Sequence, residues 1–211
     1  PGIAGDYSLI KASTRKNAKN LLADYIPLLY NTYPANLVDA YIDGEFVNLT
    51  SGTVYPQFDR ALNACNDEHD GREPVHIGMD FNVGKMSAII HVERQGEPRA
   101  VGEILGAYDT PDMIRLIKQR LWRELSDNEY EETCQIYVYP DASGNARKTT
   151  NASTSDLALL REAGFVVMVR SKNPSVRDRI TSVNAMFCNA QNERRYLINV
   201  HLCPQYAEAR E

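Results

Sequence analysis

The sequence contains no long apolar run, because its apolar residues, 43% of the chain, occur in stretches of only a few. A membrane-spanning helix needs about 20 consecutive apolar residues, so none is predicted. An initiator Met and a basic-then-apolar leader are also missing. We therefore expect a protein that is not secreted as written, and a fragment of a longer chain. The 211 residues suffice for one domain with a buried core plus some additional chain.

Cysteine and histidine motifs are missing as well. The four cysteines are far apart and form no Cys-x-x-Cys pair, and the four histidines show no metal-ligand spacing. We interpret the cysteines as reduced, mostly buried thiols of a cytosolic protein, and we expect no zinc site. No histidine is predicted to be catalytic.

The stretch "HIGMDFNVGK" (76–85) ends in Gly-Lys but lacks the pattern of a phosphate-binding loop. Five residues instead of four separate Gly78 from Gly84, and Met86 stands where a Mg²⁺-binding hydroxyl is required. The chain after Lys85 has the pattern of a strand, whereas a phosphate loop leads into a helix. A nucleotide-hydrolysing site is therefore not predicted here.

Charge is unevenly distributed along the chain. The net charge of −5 argues against a generally basic nucleic-acid binder. Residues 141–180, however, carry a local charge of +3, so that the rest of the chain carries −8. The basic part of the chain therefore coincides with the segment that contains three of the candidate acids discussed below, Asp141, Asp156 and Asp178.

Short helices and turns are predicted before residue 75. Apolar spacing indicates helix over 17–33, with Pro27 producing a break or two short helices. A second short helix should end at Gly44, and residues 46–59 have the pattern of strand, turn and strand around Ser51-Gly52.

A mixed sheet is predicted after Pro74. Alternating apolar residues and short connections indicate three antiparallel strands between residues 75 and 108. A helix follows, capped by Thr110, with an apolar stripe that runs from Met113 to Leu125. Two further strands, 134–141 and a short, wholly apolar 165–170 of the parallel, buried type, alternate with helices over 154–164 and 173–190. On the last helix the expected apolar face consists of Val176, Ile180, Val183 and Phe187. The fold class is α/β: a five-stranded mixed sheet, three strands antiparallel and two parallel, flanked by helices.

Two acids end or interrupt strands in this pattern. Asp80 lies opposite the apolar face of the first strand and two residues after a glycine, which is unfavourable strand composition. Asp141 ends the fourth strand, and ligands of open α/β sheets gather beyond the carboxyl ends of strands. An exposed sheet face is an alternative explanation of Asp80, and a turn would explain "YPDASG" around Asp141.

Three further acids are candidates for the same site. Asp178 is near the start of the last long helix, where Ser175-Val-Arg-Asp178 also approximates a capping box. Glu103, on the third strand, could point the same way as Asp80. Asp156 is at a helix start, and its charge there is explained by the helix dipole.

Carboxylates that converge at a sheet edge repel one another unless a cation binds. Hard oxygen donors without His or Cys favour Mg²⁺ or Mn²⁺, and two such ions that share a carboxylate can cleave phosphodiesters. Basic side chains nearby could hold phosphates; the candidates are Arg147, Lys148, Lys172, Arg177 and Arg179.

The order of elements and acids over residues 75–190 resembles the ribonuclease H-like (integrase-like) nuclease superfamily. Four stretches together resemble the large terminase subunit of tailed bacteriophages, close to the headful-packaging, short-tailed enterobacterial phages. These stretches are "AYIDGEFVNLTSGTVYPQFDR" (40–60), "HIGMDFNVGK", "YPDASG" and "NPSVRDRITSVNAMF". Each motif alone is weak, and their combination is specific.

The resemblance implies a C-terminal nuclease domain without its packaging ATPase. Residues 1–60 would be the linker region from the ATPase domain, packing on a nuclease domain of residues 61–211. Asp80, Asp141 and Asp178 would be catalytic metal ligands for two Mg²⁺ or Mn²⁺ ions, with Glu103 as an additional candidate. For Asp178 this role rests on the resemblance and not on periodicity.

The same resemblance implies an activity, partners and a location. The domain would cut concatemeric double-stranded viral DNA with little sequence preference, in the cytoplasm of the host cell. Its partners would be the ATPase domain of the same protein, the small terminase subunit and the portal of the procapsid, with no membrane. A junction resolvase or transposase-type nuclease, and a non-catalytic packaging interaction module, remain alternatives.

Overall fold

The structure is a computed structural model that describes residues 12–44, 53–81, 84–126, 129–140, 155–169 and 174–211. Asp141, Arg147, Lys148, Lys172 and the first strand and turn predicted within 46–59 lie outside these residues. The chain divides into two compact units. We call Pro1–Phe58 with Val176–Arg194 the helical unit, and Asp59–Ser175 with Arg195–Glu211 the sheet unit.

The sheet unit is built on a six-stranded mixed sheet with the order β7-β6-β1-β2-β3-β8. Its strands are β1 (Val75–Asp80), β2 (Met86–Arg94), β3 (Glu97–Ala107), β6 (Ile136–Pro140), β7 (Val166–Val167) and β8 (Leu197–Ile198). A separate hairpin is formed by β4 (Arg123–Ser126) and β5 (Glu129–Glu131). The helices of this unit are α3 (Thr110–Leu121), α4 (Asp156–Glu162) and α6 (Pro204–Glu208).

The predicted pairing is confirmed for five strands. β1, β2 and β3 form the antiparallel meander, and β6 and β7 add to it in parallel beyond β1. The β2–β3 turn uses Gln95 and Gly96, both with positive φ (56° and 81°), as a two-residue hairpin loop requires. The sixth strand, β8, pairs in parallel with β3 and was not predicted, since its two residues are too few to show a period.

The core of the sheet unit lies on one face of the sheet. There the buried side chains of β1 (Val75, Ile77 and Met79) pack in one cluster with residues of the neighbouring strands and of helices α3 and α4. The other face of β1 therefore carries His76, Gly78 and Asp80, because successive residues of a strand point to opposite sides. This alternation directs Asp80 away from the core, as the sequence predicted.

Helix α3 differs from its prediction at both ends. Its N-cap is Asp109, whose carboxylate accepts from the Asp112 amide at 2.9 Å. The Thr110 hydroxyl instead donates to Asp156 at 2.6 Å in a buried contact. The helix stops at Leu121, whose carbonyl accepts from the Thr133 hydroxyl, so Leu125 lies on β4 and is 61% exposed.

The prediction that the last parallel strand is of the buried type was also wrong. β7 contains only two half-buried residues, and Met168 after it is 47% exposed. Its place at the end of the strand order explains the exposure, because an edge strand is paired on one side only.

The helical unit contains a 3-10 helix (Thr14–Asn20), α1 (Tyr25–Thr32), α2 (Ala35–Asp43) and α5 (Val176–Phe187). Pro27 lies in the first turn of α1, where its missing amide is not needed, so the prediction of two short helices is confirmed. Helix α2 ends at Gly44 with φ 66°, also as predicted.

Residues 53–58 form no strand, contrary to the prediction. The Asn184 side chain on α5 donates to the Val54 carbonyl at 3.0 Å and accepts from the Gln57 amide at 3.3 Å. Backbone groups that a strand would pair are thus hydrogen-bonded to a single side chain. Tyr55 and Phe58 pack on Phe187 of α5, with ring centroids 6.0 and 5.0 Å away.

The buried face of α5 is rotated from the predicted one. Its buried residues are Asn184, Ala185 and Phe187, whereas Val176 at its start is 62% exposed. The apolar spacing therefore identified the helix but placed its contact face incorrectly, because the buried amide Asn184 is part of that face.

Candidate active site

Asp80 is the last residue of β1 and is exposed. In the antiparallel ladder it is opposite Ser87, and its face of the strand carries Gly78 two residues earlier. The turn that follows contains Gly84, with φ 80°, whose amide donates to the Tyr108 carbonyl at 2.9 Å. The Gly-Lys pair thus belongs to a strand-to-strand turn, which confirms that it is no phosphate loop.

The carboxyl end of β6 lies beside the carboxyl end of β1. The two strands are parallel, and Met79 pairs with Pro140. Asp80 and Asp141 are the next residues of the two strands in the sequence, and Asp141 lies outside the described residues. The register of the parallel pair therefore agrees with the prediction that these two acids occupy one edge of the sheet, and the meeting of their side chains stays a prediction.

A histidine and two tyrosines share the sheet face that carries Asp80. The His76 Nδ1 atom is 2.9 Å from the Tyr139 hydroxyl. The His76 ring stacks on Tyr137, with centroids 5.1 Å apart and planes at 11°. Burial, followed by the neighbouring Tyr137 and Glu93, raises the pKa of Tyr139, so its hydroxyl keeps its proton at neutral pH.

This His76–Tyr139 pair was missed in the sequence, where no histidine was singled out. Strand alternation was the signal that could have found it, since His76, Gly78 and Asp80 alternate with the core residues of β1. The partner tyrosines could be identified only from the register, which pairs His76 with Tyr137 and Gly78 with Tyr139.

Asp178 lies in the first turn of α5, in the helical unit, and is exposed. Arg177 and Arg179 flank it on the same helix and are also exposed. Arg177 borders a groove of about 370 Å³ within the helical unit, which Leu37, Val54 and Ile180 also line. All three residues are therefore exposed, and their roles stay predictions.

Glu103 has a different environment from the one expected of a metal ligand. It is on the same sheet face as Asp80, since Gly78 pairs with Ile89 and Ile89 with Glu103. Its carboxylate oxygens, however, accept from the Gln205 amide at 3.2 Å and from the Tyr206 amide at 2.8 Å. Both are early amides of α6, so Glu103 acts as the cap of that helix.

We expect Glu103→Ala to lower the free energy of unfolding by about 1–2 kcal/mol, because two amides of α6 lose their acceptor. Its effect on any metal-dependent cleavage should stay within about twofold. Thermal melting and a cleavage assay at a temperature at which the variant is folded will check this. A loss of cleavage in a fully folded Glu103→Ala protein would support the prediction that Glu103 is an additional metal ligand.

The cysteines are not arranged as metal ligands. All four are free thiols, and burial raises the pKa of Cys134 to about 11 and that of Cys203 to about 12, which keeps both protonated and unreactive. The prediction of reduced, mostly buried cysteines is confirmed.

His91 is half-buried between the His76 carbonyl and the Tyr196 hydroxyl, and desolvation lowers its pKa to about 4. It is therefore neutral and has a structural role.

Within the described ranges, no three His, Cys, Asp or Glu side chains are grouped closely enough to hold a metal ion. The predicted trio includes Asp141, which lies outside those ranges, so the trio stays a prediction. The donor chemistry fits the predicted ions, since Asp80 offers an exposed carboxylate at a strand end and hard oxygen donors suit Mg²⁺ and Mn²⁺. None of the described helices is long and apolar enough to cross a membrane.

Comparison with known proteins gives structural relatives but no sequence relatives. No model of a protein family matches the chain, and no curated protein does. Among solved structures, the chain is similar to the large terminase from the thermophilic bacteriophage D6E. One crystal form, in complex with ATP-γ-S, has a TM-score of 0.63 and 19% identity over 90% of this chain and 45% of that one. Another crystal form has a TM-score of 0.62 and 16% identity over 93% of this chain and 45% of that one.

The P22 large terminase nuclease domain is also similar, with a TM-score of 0.52 and 13% identity over 77% of this chain and 80% of that one. The chain spans a little under half the length of the D6E large terminases that it matches. At these identities the likeness shows the fold, which is that of a large-terminase nuclease domain. The predicted fold class is thus confirmed, with one additional strand, while the resemblance to enterobacterial phages in particular stays a prediction.

Proposed function

We propose that this chain is a metal-dependent endonuclease of a viral DNA-packaging terminase that cuts concatemeric double-stranded DNA with little sequence preference. The observation that carries the proposal is the position of Asp80 at the carboxyl end of β1, beside the parallel strand β6 that leads into Asp141. This is the edge at which open α/β sheets bind their ligands. The fold that the chain shares with a large-terminase nuclease domain supports the same function.

Asp80, Asp141 and Asp178 would be the ligands of the metal ions. Two Mg²⁺ or Mn²⁺ ions, when bound, would activate a water molecule and stabilise the leaving oxygen. Asp80, exposed at a strand end that the sheet holds in place, would position its carboxylate with little reorganisation. Asp178 takes part on the strength of the resemblance of "NPSVRDRI" to terminases, and its exposed place on α5 is compatible with that role.

The test is a plasmid cleavage assay with the purified chain. We expect nicked and linear products with Mn²⁺ or Mg²⁺ and none with EDTA. Cleavage that continues in EDTA would reject the metal-dependent mechanism. An inactive but folded wild-type chain that binds packaging proteins would favour the non-catalytic interaction module, and a strong preference for branched DNA would favour the resolvase alternative.

Basic residues near these acids would hold the DNA phosphates. We propose Arg147, Lys148, Lys172, Arg177 and Arg179 for this role. Arg177 and Arg179 are exposed beside Asp178, where guanidinium groups could contact the phosphates that flank the cut.

Replacing Arg147 and Lys148 by Glu should weaken DNA binding and flatten its salt dependence. Each lost phosphate contact lowers the slope of log K against log salt by about 0.9. Fluorescence anisotropy over a salt series measures the slope. The matched control is Lys16→Glu with Lys19→Glu, which changes the net charge equally at two exposed positions of the 3-10 helix. Equal slopes in the two double variants would contradict the assignment.

The remaining partners follow from the terminase assignment. We propose that the chain acts in the cytoplasm of the host cell, joined through residues 1–60 to a packaging ATPase domain. The small terminase subunit and the portal would bring it to DNA. Because the isolated chain has a net charge of −5, such tethering would compensate for weak binding by raising the local DNA concentration. Comparing cleavage by this chain and by the full-length protein on one substrate tests that proposal.

A further inference from the structure

Gly78 has no structural reason to be glycine among the described residues. It lies within β1 and its φ is outside the left-handed region. A methyl group added to it would meet no described atom within 4 Å. Gly102 of β3 differs, because there a methyl group would come within 3.3 Å of Ile90. Glycine within a strand weakens it, and often marks a place where another backbone or a ligand approaches closely.

The residues around this open position are polar and accessible. Asp80 follows on the same face, about 7 Å further along the strand. Tyr139 is the register partner of Gly78 on β6 and is 43% exposed. Its hydroxyl lies 2.9 Å from His76, the preceding residue on this face of β1. The position at Gly78, which is open among the described residues, is thus bounded by the candidate metal ligand on one side and by the Tyr139 hydroxyl on the other.

From this arrangement we infer that Gly78, Tyr139 and His76 form the surface on which the DNA strand beside the scissile phosphate lies, with the Tyr139 hydroxyl donating to a flanking phosphate. This inference rests on the proposed nuclease function and extends it to substrate positioning. The glycine lets the sugar-phosphate backbone approach the sheet. A hydroxyl that donates to a charged phosphate oxygen forms a strong hydrogen bond, and it adds no sequence preference.

His76 acts through Tyr139 and is a positioning residue. When its Nδ1–H donates to the Tyr139 oxygen, the tyrosine proton is directed outward to the phosphate. Stacking on Tyr137 fixes the plane of the His76 ring. The Tyr139 hydroxyl therefore loses little conformational entropy when it binds DNA.

The experiment measures duplex DNA affinity in Ca²⁺ or EDTA, and steady-state cleavage in Mn²⁺, for the 211-residue chain and its variants. Tyr139→Phe should weaken DNA binding about tenfold or more and raise KM while kcat stays within about twofold. The control is Tyr137→Phe, whose hydroxyl already donates to Gln135 at 2.7 Å on the same face, and it should bind as the wild type. Wild-type affinity in Tyr139→Phe would overturn the inference.

Gly78 and His76 give independent variants. Gly78→Val should reduce DNA affinity about tenfold or more with an unchanged or raised melting temperature, because Val favours strands. Gly78→Ala covers the case in which the larger side chain disturbs the fold, and it should lose affinity to a smaller extent. His76→Phe should reproduce the loss of Tyr139→Phe, and His76→Asn, which keeps a hydrogen-bonding group near the Nδ1 position, should recover part of it. Full DNA affinity in both Gly78 variants would also overturn the inference.

The binding measurement separates this inference from the proposed function. If the wild type binds DNA but does not cut it, the nuclease proposal fails while the contrast between Tyr139→Phe and Tyr137→Phe still tests the DNA surface. If the wild type cuts and Tyr139→Phe binds normally, the nuclease proposal stands and the inference about Tyr139 is wrong.

Discussion

Asp80→Asn should reduce Mn²⁺-dependent DNA cleavage by about a hundredfold or more while the chain remains folded. Asparagine is almost the same size, but it removes the negative charge that would hold the metal ions, and their stabilisation of the transition state contributes several kcal/mol. Because Asp80 is exposed at the end of β1, the melting temperature should be nearly unchanged or raised. Supercoiled plasmid cleavage and thermal melting, followed on the same samples, measure both quantities.

The control for this variant is Glu162→Gln, which removes an exposed carboxylate from the last residue of α4. It should cut DNA at the wild-type rate. Asp141→Asn and Asp178→Asn should behave as Asp80→Asn does if the three acids form one site. Full activity in Asp80→Asn would reject the active-site assignment, and full activity in Asp178→Asn alone would leave Asp178 as a helix-terminal charge.

Phe187→Ala should have the largest effect on stability, lowering the free energy of unfolding by about 3–5 kcal/mol. The ring is fully buried in the helical unit, where Tyr55 and Phe58 contact it edge-on or tilted. Its removal leaves a cavity that these two rings cannot fill. For a chain of this size the melting temperature of the unit should fall by about 10 °C. Scanning calorimetry measures the shift and shows whether it is confined to one transition.

Val176→Ala is the matched control on the same helix. The apolar spacing of α5 assigns Val176 and Phe187 to one buried stripe, but in the structure Val176 is 62% exposed. Its truncation should change the free energy of unfolding by no more than about 0.5 kcal/mol. Equal losses in the two variants would mean that the predicted stripe, and not the observed face, describes how α5 packs.

Local patterns predicted the elements whose signal is contained in a few neighbouring residues. Alternation over 75–107 predicted the meander, and Gly44 correctly marked the end of α2. Failures arose where a distant group decided the outcome. The Asn184 side chain is hydrogen-bonded to the backbone of Val54 and Gln57, where a strand was predicted. The Thr133 hydroxyl donates to the carbonyl of Leu121, the residue at which α3 ends.

In the candidate site, too, some features follow from neighbouring residues and others depend on distant groups. The position of Asp80 opposite the core residues of its strand follows from a period of two and needs no tertiary information. The role of Glu103 could not be foreseen, because its partners Gln205 and Tyr206 are about a hundred residues away in sequence. The same is true of the contact between His76 and Tyr139, which depends on the register of β1 against β6.

The sequence by itself determined the strand and helix periods, the segregation of basic residues into 141–180, and the outward direction of Asp80. These properties depend on neighbouring side chains and on the fixed geometry of the backbone. Only the tertiary structure decided which strands lie at the edges, which face of α5 is buried, and which polar groups Glu103, Asn184 and His76 contact. Each of these depends on the pairing of segments far apart in the chain, and no local period encodes that pairing.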